Sequence, residues 1–146
     1  MNILIAYSIK PFTHTRYEKI VQLLQVKLQS FGYKIQILRL PLIGEKGIEL
    51  QKEVLAFNLL KIDNVDLLIT LNSPACYLSH TKHIIWLTEE VSPIHVNLLR
   101  QARLIFCSNR KIQNQLISQK IERPIKLALP KTKKGWIELN KRISKI

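Results

Sequence analysis

Four short polar stretches hold the side chains with which this chain could do chemistry: Lys10 with Thr13-His14-Thr15-Arg16, Asn72-Ser73-Pro74, Glu89-Glu90, and Ser108-Asn109. The His14 imidazole, with an ordinary pKa of about 6.5, suits proton transfer, although an exposed loop histidine with no such task has the same signature. Thr13 or Thr15 suits the cap of a following helix, whose unpaired backbone N–H groups would also favour a phosphate or carboxylate. Asn72 and Ser73 offer an amide and a hydroxyl to a sugar or carbonyl, and with Pro74 they equally make a rigid turn. Glu89 and Glu90 could bind hydroxyls or act as a base, but adjacent side chains usually diverge. Ser108 and Asn109 read as a helix cap ahead of Arg110 and Lys111.

Other chemistries find little support. Cys76 and Cys107 are the only cysteines and have no C-x-x-C spacing, so they read as small packing residues, with no disulfide framework or zinc site. A reading in which Cys107 or His14 serves as nucleophile or base in a flavodoxin-like or hydrolase-like site lacks a G-x-S-x-G elbow and a partnered triad. His80 and His83 stand three apart without a third ligand nearby, so no metal is expected. The first loop has no G-x-G-x-x-G, which disfavours a dinucleotide, and no cofactor is expected.

The elements that must position these residues alternate regularly. Apolar runs at residues 2–7, 33–40, 67–71, 83–87, 104–107 and 125–129 read as six strands. Between them, Tyr17, Ile20, Val21, Leu24 and Leu28 recur at helical spacing over residues 15–31, closed by Gly32. Helices are also expected at residues 48–60, 94–101 and 110–119. A terminal amphipathic helix within 131–146 carries Trp136, Leu139, Ile143 and Ile146 on one face. The alternation predicts a single α/β domain over residues 1–146: a Rossmann-like open parallel sheet of about six strands, helices on both faces, in the order 3-2-1-4-5-6. Ligands of such sheets bind beyond the carboxyl ends of the strands. That rule selects the loops at 8–15, 72–75, 88–93 and 108–110.

The chain has 146 residues, 47% of them apolar, without the run of roughly 20 that a membrane-spanning helix needs. Its start has no basic region before the first strand, so a cytoplasmic location, with peripheral membrane contact left open, is expected. Charge is uneven. Residues 1–99 carry ten Lys and Arg against eight Asp and Glu, whereas residues 100–146 carry thirteen against two. A local basic face of this kind attracts nucleic acid, phosphorylated ligands, acidic proteins or an anionic membrane, into which Trp136 would insert.

The segments MNILIAYS, YEKIVQLLQVKLQSFGYKIQIL, DLLITLNSPA, HIIWLTEE and ARLIFCSNRKIQNQLI, taken in order, resemble the N-terminal half of a GT-B glycosyltransferase of the family 4 type. The closing GWIELNKRISKI is similar to the terminal helix that in such enzymes crosses back onto the first domain. The family's first loop usually has adjacent glycines, where Thr13-His14-Thr15 stands here. Its second Rossmann-like domain, which holds the nucleotide-sugar and supplies an E-x7-E pair, has no counterpart after Pro130. The resemblance implies an acceptor-side domain, inactive alone, that serves as a subunit or binding protein. Its cleft would hold Lys10, Thr13, His14, Arg16, Asn72, Ser73, Glu89 and Glu90. A glycan or lipid-linked acceptor is the implied ligand, and a donor-domain protein or a second copy the implied partner.

Overall fold

A strand with apolar side chains on both faces needs a helical layer on each, and residues 3–8 are buried on both. The computed structural model describes residues 1–10, 12–13, 15–44 and 46–146. In chain order the elements are β1 (Asn2–Ile9), α1 (Arg16–Ser30), β2 (Lys34–Pro41), α2 (Gly47–Leu59), β3 (Leu67–Thr70), a 3₁₀ turn (Ala75–Tyr77) and β4 (His83–Leu87). A 3₁₀ helix (Pro93–Gln101), β5 (Leu104–Cys107), α3 (Arg110–Ser118), β6 (Ile125–Lys126) and α4 (Lys133–Ile143) follow. The six strands form one open sheet in which every pairing is parallel, flanked by helices, a Rossmann-like α/β fold.

The strand order is β2-β1-β3-β4-β5-β6, not the expected 3-2-1-4-5-6. Burial explains the difference. β3 is buried at all four positions and belongs inside the sheet, next to β1. β2, with Lys34, Gln36, Ile37, Arg39 and Pro41 exposed, is exposed at five of its eight positions and suits an edge. β6 is shorter than the run at 125–129 because its partner β5 ends at Cys107, which leaves Leu127 one last bond to the Cys107 carbonyl.

One face of the sheet, with Ile3, Ile5, Tyr7, Ile84, Trp86 and Phe106, packs against α1 and α4. α1 contributes Tyr17, Val21, Leu24 and Leu28, at spacings of four, three and four. At about 1.5–3 kcal/mol for each large apolar side chain, this burial outweighs any propensity term along the helix. Gly32, at φ 87, ends the helix, and backbone N–H groups of residues 32 and 33 return to the carbonyls of Gln29 and Leu28. Trp136, Leu139 and Ile143 of α4 join this core. Trp136 is therefore buried and not placed to enter a membrane surface.

On the opposite face Leu4, Ala6, Leu68, Ile85 and Leu87 meet α2, the 3₁₀ elements and α3. The segment expected as a helix at 94–101 is wound as 3₁₀, whose period of three puts Val96 and Leu99 together on the buried side. Among the described residues no helix is long and apolar enough to cross a membrane.

Candidate functional site

Strand order reverses between β1 and β3, so the crevice of this sheet opens where β1 and β3 end. There the chain ties itself together. The Asn72 side chain accepts from the Ser8 backbone N–H at 2.7 Å and donates to the Ser8 carbonyl at 2.8 Å. The Ser8 hydroxyl accepts from the Ala75 N–H at 3.0 Å. Asn72 is 4% exposed, so both ends of its amide are committed to holding the two strand ends in register. Ser73, half-buried, follows it and precedes a cis Pro74.

A second polar group forms where α1 begins beside the loop after β4. Arg16 donates to the Thr88 carbonyl at 3.2 Å and stands 3.9 Å from the Glu89 carboxylate. The Tyr17 phenol lies next to Thr88, Arg16 and Glu89, and burial raises its pKa above the usual tyrosine value. The buried hydroxyls of Thr15, Tyr17 and Thr88 close no hydrogen bond of good geometry among the described residues, although the Tyr17 phenol is within polar reach of Thr88, Arg16 and Glu89. A buried hydroxyl left without a partner costs about 1–3 kcal/mol, so imperfectly bonded hydroxyls here leave polar capacity for a ligand. Thr15 and Arg16 also line an open cleft of about 580 Å³ with Glu18, Lys19 and Gln22.

Phe12, in the turn before α1, is fully exposed with φ 61, a left-handed conformation that a bulky side chain seldom adopts. Thr13 closes that turn by donating its hydroxyl to the Lys10 carbonyl at 2.7 Å. Its capping role is thereby replaced, because the hydroxyl is spent inside the turn. Thr15 occupies the N-cap position of α1, yet its side chain makes no cap bond. His14 lies outside the described residues. Lys10 is exposed at the end of β1.

Of the residues expected in a cleft, the structure brings Arg16 to Glu89 and Asn72 to Ser8. Glu90 turns away from Glu89 to pair with Lys111 at 3.3 Å, so the adjacent carboxylates serve different cations. Ser8, Phe12 and Thr88 fell within the loops selected from the sequence but were given no role there, and Tyr17 was read only as part of the buried stripe of α1. Only Phe12, a large apolar residue inside a polar loop, offered a signal there.

The remaining candidates are structural. Asn109 caps α3 by accepting from the Ile112 N–H at 3.0 Å. Cys76 and Cys107 are wholly buried. Burial pushes the Cys107 thiol up to about 11, which keeps it protonated at neutral pH and unsuited to act as a nucleophile. His83 is wholly buried, with Nε2 2.8 Å from the Thr70 hydroxyl. Burial, reinforced by nearby His80, pushes its pKa down to about 3. No group of three or more His, Cys, Asp or Glu is placed to hold a metal among the described residues.

The basic residues of 100–146 line several clefts. Lys133, Lys134 and Lys141 line a groove along α4, whereas Arg100, Arg103 and Arg123 line a cleft at the amino ends of β5 and β6. Compared with protein-family models, with curated proteins and with solved structures, the chain matches none.

Proposed function

We propose that this chain is a glycosyltransferase-like acceptor-side domain that binds a glycan or lipid-linked acceptor and performs no transfer by itself. The ligand sits at the carboxyl edge of the sheet, across the turn that holds Phe12 and the Arg16–Glu89 pair. The observation that carries this reading is the long, exposed Arg16–Glu89 ion pair beside the hydroxyls of Thr15, Tyr17 and Thr88, none of which closes a hydrogen bond of good geometry among the described residues. A weakly held pair of this kind is easily displaced. A polyhydroxylated ligand that displaces it supplies donors and acceptors to all three hydroxyls at once, while Phe12 provides an apolar platform for the face of a sugar ring. The ordered sequence resemblance and the parallel sheet support the same assignment.

The test is an NMR titration of the ¹⁵N-labelled chain with monosaccharides, oligosaccharides and nucleoside-diphosphate sugars. The expected result is that acceptor-type sugars shift the amides of Phe12, Arg16, Tyr17, Thr88 and Glu89, and that Phe12→Ala weakens binding at least several-fold without altering the circular dichroism spectrum. Shifts confined to other regions would remove this site. Sugar transfer or nucleotide-sugar hydrolysis by the purified chain would contradict the non-catalytic assignment.

A further inference from the structure

At the amino edge of the sheet, opposite the loops described above, the 3₁₀ helix, the start of β5 and the turn from α3 into β6 enclose a cleft of about 590 Å³. Its size falls within the range of small-ligand sites. The floor is apolar, with Leu99, Ile105 and Ile121 buried and Leu104 and Ile125 partly so. The rim carries Arg100 and Arg103, three residues apart, and Arg123 from the turn into β6.

Two of these guanidinium groups, those of Arg100 and Arg103, are anchored by neutral partners. Arg100 donates through Nε to the Asn97 side-chain oxygen at 3.3 Å and through Nη2 to the Gln119 carbonyl at 3.5 Å. Arg103 donates through Nε to the Thr81 carbonyl at 3.1 Å. Among the described residues, no carboxylate comes within ion-pair distance of Arg100, Arg103 or Arg123. Glu122 is the one acidic residue that lines the cleft. Arg123 reaches the rim from a left-handed backbone, φ 53, immediately before Pro124. Arg103 and Leu104 also line a smaller adjoining cleft of about 290 Å³ with Arg142, Lys145 and Ile146, which extends the same mixture of cation and hydrocarbon.

We infer that this cleft is a binding site for a phosphomonoester carried on an apolar body, the phosphate held by Arg100, Arg103 and Arg123 and the hydrocarbon laid on Leu99, Leu104 and Ile121. Guanidinium forks match the geometry and charge of a phosphate, and neutral anchors hold those of Arg100 and Arg103 in place without competing for it. The apolar floor distinguishes such a ligand from inorganic phosphate. No aromatic side chain lines either cleft, so the stacking platform of a single-stranded nucleic acid site is missing. Such a phosphate is carried by soluble alkyl or aryl esters and by lipid headgroups, and the experiment separates these sources.

The full chain is titrated with octyl phosphate below its micelle concentration, with inorganic phosphate, with neutral octyl glucoside and with random-sequence DNA. Binding is followed by ¹⁵N NMR at low and moderate salt. Octyl phosphate is expected to shift the amides of residues 100–105 and 121–125, with at least tenfold preference over inorganic phosphate and no matching response to octyl glucoside. Arg103→Gln and Arg123→Gln, both at exposed positions, each lower its affinity about tenfold, and Glu122→Gln raises it several-fold. An increase cannot arise from misfolding. Co-sedimentation with phosphatidic acid–phosphatidylcholine vesicles, lost in the two arginine variants, supports the site with a lipid source. Absence of co-sedimentation with octyl phosphate binding retained supports it with a soluble source. Unchanged affinity in all three variants, equal response to octyl glucoside, or tighter binding of DNA at these same residues would overturn the inference.

Discussion

Mild acid should destabilise this protein through one residue. His83 is wholly buried between β3 and β4, its Nε2 2.8 Å from the Thr70 hydroxyl, and its Nδ1 has no partner among the described residues. In that setting the ring stays neutral down to about pH 3, whereas in the unfolded chain it protonates near its ordinary 6.5. Below 6.5 the unfolded chain therefore holds a proton that the folded chain does not, and stability falls as pH falls, until the folded ring also protonates near 3. The loss is about 1.4 kcal/mol per pH unit. Between pH 6.5 and 5.0 it amounts to roughly 2 kcal/mol, a large share of a typical 5–15 kcal/mol and worth about 4–8 °C in Tm for a chain of this size. Urea unfolding followed by the fluorescence of buried Trp86 and Trp136 at pH 7.5, 6.0 and 5.0 reads this directly. His83→Gln, which keeps a polar partner for Thr70 but takes no proton, should flatten the dependence by about 1.4 kcal/mol per unit relative to the parent. Parallel pH profiles for the two proteins would refute the reasoning, because the imidazole would then have the same affinity for a proton folded and unfolded.

Two further perturbations address the crevice and the buried thiols. Asn72→Ala strips the partners from both the N–H and the carbonyl of Ser8 in a buried setting, which should destabilise the fold by about 2–4 kcal/mol in urea unfolding; a change below about 0.5 kcal/mol would show that the crevice is not held by this amide. Cys107, protonated up to about pH 11 and buried, should react with a disulfide reagent at pH 8 only as fast as the protein opens, and within seconds in denaturing urea; rapid native-state reaction would contradict its burial.

Much of the fold was legible because helices and interior strands are written in local patterns. The three-and-four spacing of Tyr17, Val21, Leu24 and Leu28 located α1 to within a residue of its observed bounds, and Gly32 marked its end. The continuous apolar runs located β3, β4 and β5 almost as closely. The order of strands was harder to read, since any of several arrangements lets the same segments bury the same side chains. The expected order put β3 at the edge and β2 inside, the reverse of what the polar positions of β2 and the fully buried run of β3 require.

The candidate sites were legible only in part. Loop position singled out Arg16, Asn72 and Glu89, but nothing in the residues themselves announced which would meet. Arg16 reaches the chain 72 residues further on, Asn72 returns 64 residues to Ser8, and Arg123 joins Arg100 and Arg103 at one rim. The amino-acid sequence thus determined the elements, their amphipathic faces and the loops available for chemistry, all of which depend on neighbours a few residues apart. Tertiary structure alone decided that Glu89 and Glu90 part company, that Trp136 is core and not surface, and that three arginines surround one cleft. Such encounters depend on how the sheet is ordered, and that order is settled by the burial of the whole set of strands at once.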